Sequence, residues 1–437
     1  MTRSSFRLPR VAVAAAAATT LSIGLAACGS SSDADTSEGA GDATTISIAM
    51  GSTGDDVDAV FTNLKKEYET QYPGRTIEII VQENDTYETG IGLQTLLSSN
   101  NPPDIYFERP GARLQERIDE GNAADISTAV AEPRFADRFD PGAFTGMVFD
   151  DKTYMVPWTG DVTNVFWYNE DIFSKNKLTP PSTWSEFMDV CKTLVANGES
   201  ALVEGNKDKW TVGSISSHLA ARVVGDDAYV AAVTGKAPMN SPEMVAAFGH
   251  LQELWDNGCI NRDVNAMGDE EANSKFLLGK AAMLGIGSWL VPEQLEQAKD
   301  LKMSFFNLPE IPGGAGNPDS VLGVSTGFVV NAKSQHQSEA LDFLALMVNP
   351  DSTKQFAESG VTPLGLDPFV GVDADANTVA MADMLSTAPV TITPADNLDV
   401  KRADEFYGAA AAVIGGLKTP QEALDAAQDR VASLPTN

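Results

Sequence analysis

Residues 45–50 alternate polar and apolar side chains with the two-residue period of a strand, and Gly51 and Gly54 end it in a turn. From Asp55 to Tyr72 the apolar residues Val57, Val60, Phe61, Leu64 and Tyr68 recur at three- and four-residue steps. That spacing predicts a helix with Asp55 as its cap. Pro73 and Gly74 stop it, and residues 76–81 form a second strand. Residues 93–97 read as helical, Asn100, Asn101, Pro102 and Pro103 break the chain, and Ile105, Tyr106 and Phe107 make a short buried strand. A β-α-β-α-β beginning predicts a mostly parallel sheet with helices on both faces.

The alternation continues along the chain. Residues 164–168 read as a strand, Asn169 opens a helix or turn, and Pro180 and Pro181 lead into a helix with Ser182 or Thr183 as N-cap and Glu186 in its first turn. Helices over 241–257 and 270–278 are closed by Gly258 and Gly279. Residues 281–286 and 324–330 are buried strands, and 402–414 and 420–434 are helical. There is no short repeat period, so a solenoid is unsupported.

At 437 residues the chain exceeds one ordinary core and predicts two compact units. Apolar residues make up 43 % and charged residues 21 %, the balance of a globular protein. With 61 acidic against 30 basic residues and no basic run beyond the first ten positions, the electrostatic footprint of a nucleic-acid binder is missing. Arg3, Arg7 and Arg10 precede a small, apolar stretch that ends at Cys28, which reads as a cleaved secretory signal over 1–27. Its removal would take away three positive charges and no negative ones, leaving 27 basic against 61 acidic residues and a formal charge of −34. Residues 29–43 hold no large apolar side chain and read as a flexible tether. Outside the cytoplasm Cys191 and Cys259 are free to pair, the alternative being two buried thiols. Two Cys and three scattered His make a poor zinc site, and no cofactor motif is present.

Ordered signposts then point to a family. They are NPPDIY at 101–106, VPW at 156–158, YNEDIF at 168–173, LTPPSTWSEF at 178–187, FLLGKAAM at 276–283 ahead of GSW at 287–289, and 323–330. Together they resemble the extracellular solute-binding proteins of family 1, the carbohydrate-type subunits of ABC importers, similar to maltose-binding protein. The leader resembles a bacterial lipobox, which implies lipid on Cys28 and an anchor at the membrane. The family implies two α/β lobes, a periplasmic-binding-protein-like fold with three hinge crossings and a ligand cleft between lobes. Lobe one would hold 44–158 and 326–365, and lobe two 159–325 and 366–437. The expected partners are a sugar and a membrane permease, and the expected state is a monomer.

Sugar binding needs carboxylates, amides and Arg for hydroxyls and aromatic faces for the ring C–H patches. At the first crossing Trp158 is the expected platform and Asp161 an acceptor. Trp289 follows Gly287 and Ser288, where the family commonly stacks a Trp on sugar; Ser288 would donate. Glu108 and Arg109 leave the carboxyl end of a strand, as do Ser52 and Glu83, where α/β sheets bind ligands. The family resemblance brings Ser216 and His218 to the ligand from lobe two. Ser325 and Thr326 fall at the second crossing, and Arg402 and Tyr407 open a late helix at the cleft rim. Trp184, Trp210, Trp255 and Phe187 read as core. Where maltose-binding protein carries an aromatic this chain has Glu108, which argues against maltodextrin. A polyamine, a glycerol phosphate or a sensor role on the same scaffold is the alternative. An extracellular glycoside hydrolase is the rival class, and neither a His-Glu-x-x-His nor a P-loop motif is found.

Overall fold

A computed structural model describes residues 44–435 apart from 84, 85, 88–90 and 140. The signal segment, Cys28 and the tether lie outside the described residues. The strands are β1 (Thr44–Gly51), β2 (Arg75–Gln82), β3 (Ile105–Glu108), β4 (Val148–Phe149), β5 (Lys152–Thr153), β6 (Val156–Asn169), β7 (Leu202–Val203), β8 (Met283–Ile286), β9 (Met303–Phe306), β10 (Val321–Val330) and β11 (Thr391–Ile392). Apart from the β4-β5 pair they join one sheet in the order β2-β1-β3-β10-β6-β8-β7, with β9 beside β6 and β11 beside β10.

The sheet is mixed, which corrects the expectation of a mostly parallel one. β1 pairs in parallel with β2 and β3, and β7 with β8, as βαβ units require. β10 is antiparallel to β3 and β6, and β6 is antiparallel to β8 and β9. Two long strands carry the antiparallel pairing. β6 has 14 residues and β10 has 10, and the fragments 156–158 and 164–168 read separately in the sequence are the two ends of β6.

Buried apolar side chains form four clusters with a clean division. Two use only residues within 46–158 and 328–356. The other two use only residues within 162–322 and 381–431. The chain therefore passes between the two sets three times, along β6, along β10 and between residues 356 and 381. At the first two passages the strands carry small and polar residues, Thr159, Gly160 and Asp161 against Val324, Ser325 and Thr326. Close approach also demands a glycine: a Cβ on Gly327 would stand 2.2 Å from the Val156 carbonyl oxygen.

Helix ends follow local chemistry. Thr183 and Glu186 form a capping box at Trp184–Ala196, as Thr419 and Glu422 do at Pro420–Val431, and Ser241 caps Pro242–Asp256. Asp55 is not the cap expected of it. The helix Asp55–Gln71 starts from Gly54, and the Asp55 N–H is met by Glu296 Oε2 at 3.1 Å. Its apolar face is the one read from the sequence: Val57, Val60, Phe61, Leu64 and Tyr68 are buried. Among the described residues no helix is long and apolar enough to cross a membrane.

Cys191, on Trp184–Ala196, is bonded to Cys259, just after Pro242–Asp256, with Cα atoms 5.6 Å apart and both residues buried. The bridge closes a separation of 68 residues, so its loss releases chain entropy in the unfolded state. Replacing both cysteines by Ala is expected to lower unfolding free energy by about 2–4 kcal/mol in urea. An unchanged midpoint would show that the bridge does not contribute to stability.

Candidate functional site

Asp161 stands in the middle of β6, opposite Val324 of β10. Alternate side chains of a strand share a face, so Asp161 lies with Thr159 and away from Trp158. Thr159 Oγ1 donates to Asp161 Oδ2 at 3.1 Å, and the Thr159 and Thr326 hydroxyl oxygens are 2.7 Å apart. Ser288, in the loop after β8, donates from Oγ to Asp161 Oδ1 at 3.1 Å, and its N–H reaches the Val162 carbonyl at 2.9 Å. Burial raises the Asp161 pKa above the ordinary carboxylate value, while the Arg109 charge and the three hydroxyls work against that rise. The result is a half-buried acceptor held in a fixed orientation beside a guanidinium.

Trp289 adjoins this group. It is half-buried at the start of the helix Leu290–Gln297, and its ring centroid lies 5.7 Å from that of Trp210. A Cβ on Gly287 would fall 2.2 Å from the Trp289 ring, so only glycine lets the indole fold over the strand end. Trp210 begins the helix Trp210–Val224 and packs against the core, in line with its reading from the sequence, while its ring also pairs with that of Trp289.

A second carboxylate sits beyond Arg109. Asp396, on the short helix Ala395–Leu398, pairs with Arg113 Nη2 at 2.9 Å and accepts from the Tyr407 hydroxyl at 3.0 Å. Burial works to raise its pKa, but the Arg113 and Arg109 charges and the Tyr407 hydroxyl together hold it below the ordinary value. The Tyr407 ring covers Gly213, where a Cβ would come within 2.5 Å. Asp161, Ser288 and Thr326 thus form one hydrogen-bonded group and Asp396, Arg113 and Tyr407 another, with the Arg109 charge acting on both carboxylates.

Other expected residues lie elsewhere. Glu108 is buried and committed to Arg117 at 2.9 Å, with its second oxygen taking the Arg109 N–H, so it supports Arg109 from behind. Ser52 and Glu83 are exposed at loop tips after β1 and β2, and Ser325 is half-buried on β10. Trp158 is not an open platform: it is 6 % exposed and packed against Phe61, Phe107, Phe328 and Phe356. Its place on the other face of β6 from Asp161 explains this. Arg402 is not at a rim either. It is buried, paired with Asp399 at 2.6 Å, and donates to the carbonyls of Leu434 and Pro435. Arg402 and Tyr407 are five positions apart on the helix Val400–Ile414, about 140° round its axis, so they point different ways. His218 and Ser216 are fully buried inside Trp210–Val224. His218 Nδ1 lies 3.2 Å from Asn164 Oδ1, Ser216 donates to the Gly213 carbonyl, and burial pushes the imidazole pKa well below its ordinary value.

The sequence reading missed Arg113, Asp396 and Trp210. Trp210 had a signal, an indole at a helix start just beyond β7. Asp396 had none, because a four-residue helix after Pro394 carries no periodicity to read.

The model of the bacterial extracellular solute-binding proteins matches residues 51–354. The chain belongs to that family, which is one of binding proteins and not of enzymes. An uncharacterised ABC transporter extracellular-binding protein of Pyrococcus horikoshii is 26 % identical over 68 % of this chain, and the match spans 66 % of that protein, just under two thirds of its length. The diacetylchitobiose binding protein DasA of Streptomyces coelicolor is 24 % identical over 82 % of each chain. A solved chitin oligosaccharide binding protein superimposes with a TM-score of 0.81 at 22 % identity, covering 89 % of this chain and 98 % of that one. The fold is the two-lobe α/β fold of these binding proteins.

Glu293, one turn beyond Trp289, offers a pH handle. Burial pushes its pKa up to about 7, and Asn273, which donates to both carboxylate oxygens at 3.2 Å, only partly opposes this. An acid raised on folding favours the fold fully below its unfolded pKa, and that contribution is lost as pH climbs through the folded value. The melting temperature is therefore expected to fall between pH 5 and pH 8 by more in the wild type than in Glu293→Gln. Parallel profiles would contradict the raised value.

Proposed function

We propose that this protein is an extracytoplasmic substrate-binding subunit of an ABC importer, lipid-anchored at Cys28, that captures a sugar or oligosaccharide by lobe closure and hands it to a membrane permease. Lobe one is read as 44–158 with 326–365 and lobe two as 159–325 with 366–437, the chain crossing where β6 and β10 carry small and polar residues. The observation that carries the sugar reading is the pairing of chemistries at one place. A half-buried Trp289, backed by Trp210, adjoins Ser288 and the fixed Asp161 carboxylate. Indole faces suit the C–H patches of a pyranose, and Asp161, Ser288 and Arg109 suit its hydroxyls. Relatives named for diacetylchitobiose and chitin oligosaccharide support the same class of ligand.

The chemistry runs by differential binding. Ligand contacts made by both lobes exist only in the closed form, so the ligand shifts the population toward closure, and the closed surface is what a permease reads. Release needs no covalent step.

A thermal-shift screen over mono- and oligosaccharides, with putrescine and glycerol 3-phosphate as controls, is expected to raise the melting temperature for a sugar alone. A shift with the polyamine or the phosphate and none with sugars would reject the ligand class. For the responding sugar, Trp289→Ala is expected to weaken affinity at least tenfold by calorimetry, about 1.4 kcal/mol, with folding unchanged. Equal affinity would remove Trp289 from the site.

A further inference from the structure

The two sets of apolar clusters share no buried apolar member, yet the residues around Arg113 and Asp396 join them directly. Arg113 lies on the helix Ala112–Asp119, which follows β3 in the first set. Asp396 lies on Ala395–Leu398, next to the second set, where Ala395 is a core member. Their contact is a charge pair at 2.9 Å with side chains only 23 % and 15 % exposed. Around it, Asn397 Nδ2 donates to the Pro110 carbonyl at 3.0 Å. A Cβ on Gly111 would stand 2.2 Å from the Asn397 carbonyl oxygen, so two backbones meet here with glycine as the only fit. Tyr407 fixes Asp396 from the second set, and Arg109 adds a second positive charge from the first.

We infer that Arg113 and Asp396 form a latch between the lobes that biases the molecule toward its closed form and so sets how firmly ligand is kept. The inference rests on the two-lobe reading proposed above. Three features make this contact a latch and not a permanent interface. Its groups are polar, so parting returns them to water without exposing apolar surface, as a reversible joint requires. They are shielded enough for the pair to outweigh an exposed ion pair, whose contribution is close to zero. The Arg109 charge acts on Asp396 together with that of Arg113, so removing Asp396 takes one carboxylate from two guanidiniums at once. A second contact between the two sets, Glu296 to the Asp55 N–H, is exposed and contributes less. Arg113 and Asp396 are positioning residues: they act on ligand through the lobe equilibrium.

Small-angle X-ray scattering of the protein without added sugar tests this directly. A compact chain of this length has a radius of gyration of roughly 22 Å. Because the ligand-free wild type is only partly closed, Arg113→Ala and Asp396→Asn are each expected to raise the radius over the wild type by up to about 1 Å, as the population moves toward the open form. The Arg113→Ala/Asp396→Asn double variant should expand no further than the single variants, because both remove the same contact. Arg113→Lys, which keeps the charge, is expected to stay near the wild-type radius, whereas a role in packing alone would be lost equally in Lys and Ala. Circular dichroism checks that each variant is folded, and Asp396→Asn keeps the shape of the side chain should Arg113→Ala fail to fold. Wild-type radii in both single variants would overturn the latch. Because no ligand enters this measurement, failure of the sugar screen and failure of the latch are separate results.

Discussion

The antiparallel pairing of β6 with β10 constrains everything else in this protein. Both strands start in one set of buried clusters and end in the other, and their shared middle is the stretch where neither set reaches. A sheet interior would ordinarily be filled there with large apolar residues. Instead Thr159, Gly160 and Asp161 face Val324, Ser325 and Thr326, with Gly323 and Gly327 at the ends. Small residues let the strands bend and let loops close in, and the hydroxyls satisfy the one carboxylate that the crossing buries. The site is a consequence of that passage. β3 and β8 flank the crossing strands, so Arg109 and Ser288 arrive at Asp161 from opposite sides of the sheet order.

Electrostatics then organises what the crossing assembles. The chain is strongly acidic, yet its positive side chains Arg109, Arg113 and Arg117 gather within nine positions after β3. Each has a carboxylate to answer: Arg117 holds Glu108, Arg113 holds Asp396, and Arg109 acts on Asp161 and Asp396. A cluster built so carries nearly balanced charge. It is suited to a neutral, hydroxylated guest more than to a dication or a phosphate dianion, each of which would need an excess of one sign.

Much of the architecture could be read from periodicity. The helix Asp55–Gln71, with its strong apolar stripe, emerged with nearly its observed bounds, and Trp184–Ala196, with its capping box, emerged with its observed start, because local chemistry decides both. Sheet direction was not legible, since whether β6 and β10 lie antiparallel is settled by partners more than a hundred residues away. That Asp161 and Ser288 come together follows from each lying beside a strand end or crossing in the chain. Trp158 misled because adjacency in sequence hides the strand's alternation of faces. Arg402 and His218 misled for a related reason: a polar residue on a helix signals burial with a partner as readily as it signals a ligand, and both found partners within the fold.

The central claim is that the chain closes on a sugar at the junction of its two halves, with Trp289 and Trp210 against the guest. The direct measurement is fluorine NMR of protein labelled with fluorotryptophan, with the six indole signals assigned by single replacement and followed as the sugar selected by thermal shift is added. The account predicts that the Trp289 and Trp210 resonances move together and saturate while those of Trp184 and Trp255 stay in place. Saturation that moves Trp184 or Trp255 and leaves Trp289 and Trp210 untouched would contradict it.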